Sequence, residues 1–173
     1  RGSSGDLPAD LSLLRALRTR SFWSMFAIFL FYGAGLNLIL AHVVPYAIDR
    51  GVSGVEAATI LSLGGILSIP FRVVAGRVAD TLGEKIPGAI CGLLLAGALV
   101  WLIRADDLGK FYLFAIAFGI SWGGLSLVIS TMVVGIFGGR NLGTIFGATD
   151  TGFALGAAIG PAIGGLVFDV TGV

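Results

Sequence analysis

The sequence predicts an all-α integral membrane protein, and two observations lead to this fold class. The 173 residues are 56% hydrophobic and only 12% charged, whereas an ordinary soluble domain has about 25% charged residues. Five apolar stretches follow one another, each with about 18 or more residues, which is enough for an α-helix to cross a ~30 Å hydrocarbon core. We predict membrane spans over about 21–48, 55–79, 86–103, 111–137 and 142–168.

The composition also argues against several functions. A net charge of +1 gives no reason to propose nucleic acid as a partner. The chain has one cysteine, Cys91, and one histidine, His42, so no intrachain disulfide is possible and no Cys/His metal site is expected. No phosphate-binding loop with the spacing of an ATP site occurs. We therefore predict that the protein is not an enzyme and that it binds no cofactor and no metal.

The distribution of Lys and Arg predicts the orientation in the membrane. Seven of the 11 fall on the side that holds the N-terminus, three fall on the other side, and Arg72 lies inside the second span. The positive-inside rule places the N-terminal side in the cytoplasm. We expect a cytoplasmic linker over 1–20 and a bundle over 21–173 in a plasma or inner membrane. Because five is an odd number of spans, we expect a sixth helix outside this chain.

Arg72 is the first candidate functional residue. A charge in the middle of a membrane helix costs about 2.5–3.5 kcal/mol on insertion scales, so such a residue is a functional hypothesis by default. The alternative is that its long side chain bends back to the interface, a position that Arg77 already occupies. A guanidinium binds a carboxylate through two parallel hydrogen bonds. We predict that Arg72 binds an organic anion, with Ser68 one turn before it as a further contact.

The first span carries polar residues near interruptions at Gly33, Gly35 and Pro45. The polar side chains that we consider as substrate contacts are Asn37, His42 and Tyr46. The unperturbed pKa of histidine lies near neutrality, so His42 is also a candidate for proton coupling. The alternative is that Asn37 forms a hydrogen bond between helices and that His42 lies in the outer interface.

The fifth span contains a second intramembrane charge, Asp150, at a depth that resembles that of Arg72. The two residues are candidates for an ion pair that a proton or ligand disrupts, and a purely structural pair is the alternative. Beyond Asp150, small residues recur every four positions, a spacing that lets another helix approach closely. The predicted packing residues are Gly152, Gly156, Gly160, Pro161 and Gly164.

Ser53 and Glu56 have the spacing of a capping box at the start of the second span. We therefore interpret Glu56 as part of a helix cap and not as a proton-binding site.

The segment 76–85, GRVADTLGEK, resembles the loop signature of the major facilitator superfamily, G-x-x-x-D-[RK]-x-G-x-[RK]. It departs at Thr81, where the family usually has a cation. The stretch 156–165, GAAIGPAIGG, resembles the glycine–proline pattern of the family's eleventh helix. The resemblance implies helices seven to eleven of twelve, that is, five transmembrane helices of a six-helix major-facilitator half-bundle, with an N-terminal six-helix half as partner. It implies a conformational role for the loop residues Gly76, Arg77, Asp80, Gly83 and Lys85.

A narrower resemblance concerns the segment 42–46, HVVPY, followed by Gly51, with Arg72 four residues before Gly76. This pattern is similar to the monocarboxylate and oxalate–formate branch, in which an Arg of the eighth helix binds the substrate carboxylate. Oxalate exchangers use an additional Lys in the eleventh helix, where this chain has Asp150.

The resemblance implies a secondary transporter of small organic anions that works by alternating access. The expected mode is proton-coupled symport or anion exchange. The alternatives are an antiporter for drugs or hydrophobic compounds and a membrane sensor or subunit that does not transport.

Overall fold

A computed structural model describes residues 12–139 and 141–171 of the chain, without the side chain of Thr171. The described residues form helices and no strand. The helices are α1 (Leu13–Ala16), α2 (Arg20–Asp49), α3 (Gly54–Leu82), α4 (Lys85–Leu102), α5 (Leu108–Phe137) and α6 (Leu142–Thr171). Residues 1–11 of the predicted linker, Arg140 of the charge count and residues 172–173 lie outside the described part.

Five of these helices, α2 to α6, are long and apolar enough to cross a membrane. The predicted all-α membrane fold is therefore confirmed. Most helix ends extend beyond the predicted spans by up to three residues, as at 80–82 of α3, 108–110 of α5 and 169–171 of α6, whereas α4 ends one residue before its predicted limit. Polar residues can continue a helix past the apolar region because the backbone hydrogen bonds do not depend on side-chain hydropathy.

Helices α2 and α6 form one closely packed pair. A Cβ atom added at Gly152 would lie 2.7 Å from the carbonyl oxygen of Phe26, and one at Gly164 would lie 2.8 Å from Nε2 of His42. Between them, Gly156 and Gly160 contact the backbone of Leu30 and Ala34 so closely that neither position has room for a Cβ atom. The two helices run in the same direction with their backbones in contact.

Helices α3 and α5 form a second parallel pair through a different set of small residues. A Cβ atom added at Gly119 would lie 2.5 Å from the carbonyl oxygen of Gly64, and Gly123 contacts the backbone of Ser68. Helix α4 packs against α5, where Gly124 contacts Cys91, and also contacts α3. The bundle therefore consists of two helix pairs, with α4 attached to the second pair.

The turn between α3 and α4 contains the second half of the signature loop. Helix α3 ends at Leu82, and Gly83 follows with a φ of 81°, a backbone conformation that glycine adopts at no steric cost. The Thr81 hydroxyl donates to the carbonyl oxygen of Arg77 at 3.1 Å, while Asp80 and Lys85 are exposed.

Helix α5 begins at a charged cap on the opposite side of the bundle. The Asp107 carboxylate accepts a hydrogen bond from the backbone N–H of Lys110 at 3.0 Å. This hydrogen bond, supported by the ammonium group of Lys110, lowers the pKa of Asp107 below its usual value. The cap is therefore present at neutral pH and is lost as the pH falls through the lowered pKa.

The capping box at the start of α3 is confirmed. The backbone N–H of Glu56 donates to Oγ of Ser53 at 3.3 Å, and the backbone N–H of Ser53 donates to the Glu56 carboxylate, also at 3.3 Å. We predict that Ser53→Ala lowers the free energy of unfolding by about 1 kcal/mol because one amide at the helix start loses its partner. Thermal unfolding of the purified protein in detergent measures this loss.

The matched control is Glu56→Gln, which keeps an oxygen that can accept the hydrogen bond from Ser53. It should change the unfolding temperature little. An equal loss for Glu56→Gln would mean that the charge of Glu56, and not the cap, stabilises this end of α3.

Candidate functional site

A cavity of about 360 Å³ lies between the two helix pairs. Helices α2 and α6 form one wall, and α3 and α5 form the other. The residues that line it are Phe29, Tyr32, Leu36, Asn37, Leu40, Arg72, Trp122, Ser126, Ile129, Ser130, Phe146, Asp150 and Phe153. Three of the polar residues predicted from the sequence, Asn37, Arg72 and Asp150, therefore share one cavity.

Arg72 enters the cavity from α3 and is held by a residue of α5. Its Nη2 donates to Oγ of Ser126 at 3.0 Å, and the Ser126 hydroxyl in turn donates to the carbonyl oxygen of Gly123 at 3.0 Å. A guanidinium has five N–H donors, and this contact uses one of them. The side chain of Arg72 is exposed, so its remaining donors are accessible to an anion in the cavity.

Asp150 lies on the opposite wall, on α6, and its side chain is also exposed. Among the described residues, the ion pairs are those of Lys110 with Asp106 and Asp107. Asp150 and Arg72 therefore line one cavity without forming a direct salt bridge. Arg72 is also the only cation among the residues that line this cavity, and Asp150 is the only carboxylate.

The walls around these charges are mostly apolar, and five of the lining residues are aromatic. The rings of Tyr32 and Phe153 lie 5.9 Å apart between their centroids, and those of Phe29 and Phe146 lie 5.8 Å apart, with the second pair edge to face. The Tyr32 hydroxyl donates to the carbonyl oxygen of Trp122 at 3.4 Å and thereby connects α2 to α5. Such a cavity combines apolar walls with a few polar groups, as small-molecule sites in proteins do.

Asn37 lines the cavity with its side chain turned toward its own helix. Its Nδ2 donates to the carbonyl oxygen of Gly33, one turn earlier, at 2.9 Å. The side chain is half-buried. The hydrogen bond that we find for its amide group is therefore within α2 and not between helices.

The other three predicted contacts lie outside the lining of this cavity. Nε2 of His42 donates to the carbonyl oxygen of Pro161 at 3.2 Å, between α2 and α6. The Tyr46 hydroxyl lies 3.4 Å from the carbonyl oxygen of Leu102, near the end of α4. Ser68 is 6% exposed and donates to the carbonyl oxygen of Gly65 within α3.

Sequence reasoning did not identify Tyr32, Trp122, Ser126 or Ser130 as residues of the site. A signal was present in α5, since Trp122, Ser126 and Ser130 recur at a spacing of four residues and therefore share one helix face. Polar side chains on one face of an otherwise apolar helix indicate a surface that does not contact lipid.

Five membrane-length helices, four of which line a cavity with one cation and one carboxylate, define a polytopic membrane protein with a polar site inside its bundle. The sequence matches the Major Facilitator Superfamily over residues 2–161. The chain belongs to this family of membrane transporters.

Known relatives of this chain include members of the monocarboxylate branch. The human protein Monocarboxylate transporter 11 is 28% identical over 183 aligned residues, which cover 97% of this chain and 39% of the relative. Monocarboxylate transporter 3 of Rattus norvegicus is 32% identical over 139 residues, which cover 78% of this chain and 28% of the relative. The Multidrug resistance protein MdtG of Dickeya zeae is 28% identical over 151 residues, or 83% of this chain and 36% of that protein. The chain thus spans about a third of the length of these relatives.

Proposed function

We propose that this chain is part of a secondary transporter that moves small organic monoanions by alternating access. The observation that carries the proposal is the position of Arg72, an exposed cation in a cavity between the two helix pairs. A cation that deep in a membrane bundle is costly, and an anionic substrate offsets the cost by forming charge-assisted hydrogen bonds with the guanidinium. The names of relatives such as Monocarboxylate transporter 3 support the same class of substrate.

The charges of the cavity favour a monoanion over a dianion. Arg72 is the one cation among the lining residues, and Asp150 on the opposite wall repels a second negative charge. The aromatic rings around the two charges suit the apolar part of a small carboxylic acid. Tyr32, Ser126 and Ser130 also place hydroxyl groups in the lining, and each would donate to a substrate oxygen by turning away from its present backbone acceptor.

In this proposal the chain corresponds to a C-terminal transmembrane bundle that is preceded by a cytoplasmic linker. A second six-helix half would supply the facing wall of the cavity, and the two halves would rock around the site. The loop with Gly76, Arg77, Asp80, Gly83 and Lys85 would lie at the cytoplasmic end and take part in this movement. The membrane would be the plasma membrane or an inner membrane.

A second candidate is an antiporter for hydrophobic compounds. The aromatic walls of the cavity favour it, as does the relative named Multidrug resistance protein MdtG. Such a transporter would use the apolar rings and would have no need of Arg72.

Counterflow distinguishes these functions. The full-length protein that contains this chain is reconstituted into liposomes loaded with unlabelled lactate, and uptake of labelled lactate or pyruvate is compared with uptake of a cationic dye. We expect accumulation of the carboxylates only. Dye accumulation without carboxylate uptake would support the antiporter, and lactate binding without counterflow would indicate a sensor.

We predict that Asp150→Asn changes the pH dependence of carboxylate uptake, because an amide can neither bind nor release a proton. The titratable or charged groups that line the cavity with Asp150 are Arg72 on α3 and Tyr32 on α2. If Asp150 carries the coupled proton, the stimulation of uptake by an inward proton gradient should disappear in the variant. Initial rates at several external pH values measure this effect.

Asp169→Asn is the control for this variant. Asp169 lies on the same helix, is exposed and does not line the cavity, so its replacement should leave the pH profile unchanged. An unchanged pH profile for Asp150→Asn would mean that Asp150 has a structural role and that any coupled proton is carried by another group.

A further inference from the structure

A second concave site of about 510 Å³ lies at the N-terminal end of α2 and shares no lining residue with the cavity. It is lined by Arg18, Thr19, Arg20, Trp23, Ser24 and Ala27. Arg18 and Arg20 are exposed, and no described carboxylate forms an ion pair with either of them. Two cations and two hydroxyl side chains therefore surround a space that no carboxylate of the described residues fills.

These residues lie on a well-packed corner of the bundle, which consists of the turn between α1 and α2 and the first two turns of α2. Ala16 and Phe22 are buried, at 0% and 2% exposure, beneath the turn between α1 and α2. The indole Nε1 of Trp23 donates to the carbonyl oxygen of Leu17 at 3.0 Å, which fixes the ring against this turn. The two arginines are thus held on a defined surface and not on a free chain.

The site does not depend on unpaired backbone groups at the helix start. Oγ1 of Thr19 already accepts a hydrogen bond from the backbone N–H of Phe22 at 3.2 Å. The ligand contacts available here come from the side chains of Arg18, Arg20 and Ser24.

The position of the site relative to the membrane determines which anion it fits. Arg20 begins a membrane-length helix, and Trp23, which is 56% exposed, is a residue type enriched at the membrane–water interface. From Arg20 to Ala27 the helix rises by about 10 Å. Along this distance the lining changes from guanidinium groups to an indole ring and a methyl group, as the surface of a phospholipid changes from phosphate to acyl chain.

We propose that this corner binds the headgroup of an anionic phospholipid, with Arg18 and Arg20 on its phosphate and Trp23 and Ala27 against the first carbons of its acyl chains. A soluble phosphate would gain nothing from the apolar half of the site. The inference is independent of the transported substrate, since the site shares no residue with the cavity.

Native mass spectrometry of the purified full-length protein tests this site. The protein is titrated with palmitoyl-oleoyl phosphatidylglycerol and, separately, with the corresponding phosphatidylcholine. We expect preferential retention of the anionic lipid and about a fivefold weaker apparent affinity for Arg18→Gln or Arg20→Gln, since one Arg near an anionic membrane surface contributes about 1 kcal/mol.

Arg15→Gln is the matched control, because Arg15 is exposed on α1 but does not line the site. It should change the affinity by less than about twofold on the same scale. An equal loss for Arg15→Gln would mean diffuse attraction to basic residues, and equal retention of phosphatidylcholine would exclude headgroup recognition. Displacement of the lipid by glycerol 3-phosphate at similar concentrations would assign the site to a soluble anion. Any of these three results overturns the proposal.

Discussion

Uptake of lactate or pyruvate should be abolished in Arg72→Ala and strongly reduced in Arg72→Lys. Alanine removes the only cation from the lining of the cavity, and the substrate carboxylate then has no charged partner inside the bundle. Lysine restores the charge but not the planar pair of donors that binds a carboxylate bidentately. Loss of a hydrogen bond to a charged group costs about 1.5–3 kcal/mol, so the Lys variant should lose roughly one to two orders of magnitude in kcat/KM.

The measurement is initial uptake by proteoliposomes that contain equal amounts of folded protein. Arg104→Ala is the control, because Arg104 is an exposed cation in the linker before α5 and does not line the cavity. It should retain normal uptake. Normal lactate uptake by Arg72→Ala would remove the main support for an organic-anion transporter.

The second large effect is expected for Gly160→Ala. The position contacts the backbone of Ala34 on α2 without room for a Cβ atom, so even the smallest side chain must separate α2 from α6. Overpacking of this kind costs about 1–3 kcal/mol, although alanine on its own favours a helix over glycine by about 1 kcal/mol. We expect a lower unfolding temperature and reduced uptake, because both helices form one wall of the cavity.

Gly165→Ala on the same helix separates packing from helix propensity. A Cβ atom at Gly165 has no neighbour within 4 Å, so this variant should unfold at the same or a higher temperature. Thermal unfolding of both variants in one detergent provides the comparison. Equal stability of Gly160→Ala and the unaltered protein would show that the α2–α6 contact yields readily and is not a tight constraint.

Much of the fold was predictable because the membrane imposes a simple rule on the sequence. A helix that crosses lipid needs a long apolar stretch, and the five stretches between charged linkers predicted the five long helices directly. The limits of these helices were harder to predict, since Asp80 continues α3 after its apolar stretch has ended and Lys110 belongs to α5 before its apolar stretch begins.

The charged residues of the cavity were recognisable for a related reason. Arg72 and Asp150 are conspicuous because a charge is rare within an apolar span. Tyr32 and Ser126 carry no such signal, because hydroxyl side chains can satisfy themselves within their own helix and occur on any face. Their place in the cavity depends on how the helix pairs meet, and this contact between distant parts of the chain cannot be derived from spacing alone.

His42 shows the same limit in the opposite case, a residue that was predicted as a substrate contact but lies outside the lining of the cavity. Its polarity suggested a substrate contact, yet the structure places its ring against Gly164 and its Nε2 on the carbonyl oxygen of Pro161. The groove that accommodates the ring exists because Gly164, on a helix far away in the sequence but packed against α2, has no side chain there. Nothing in the local sequence around His42 indicates this groove.

The glycine contacts within the two helix pairs also have a mechanical consequence. Where backbones touch, as at Gly156 with Leu30 and at Gly123 with Ser68, one helix cannot slide or roll against the other without a steric clash. Each pair should therefore move as one rigid unit, and deformation should concentrate at the interface between the two pairs. The cavity lies at that interface, so a bound anion that drew its two walls together would move both pairs along their full length.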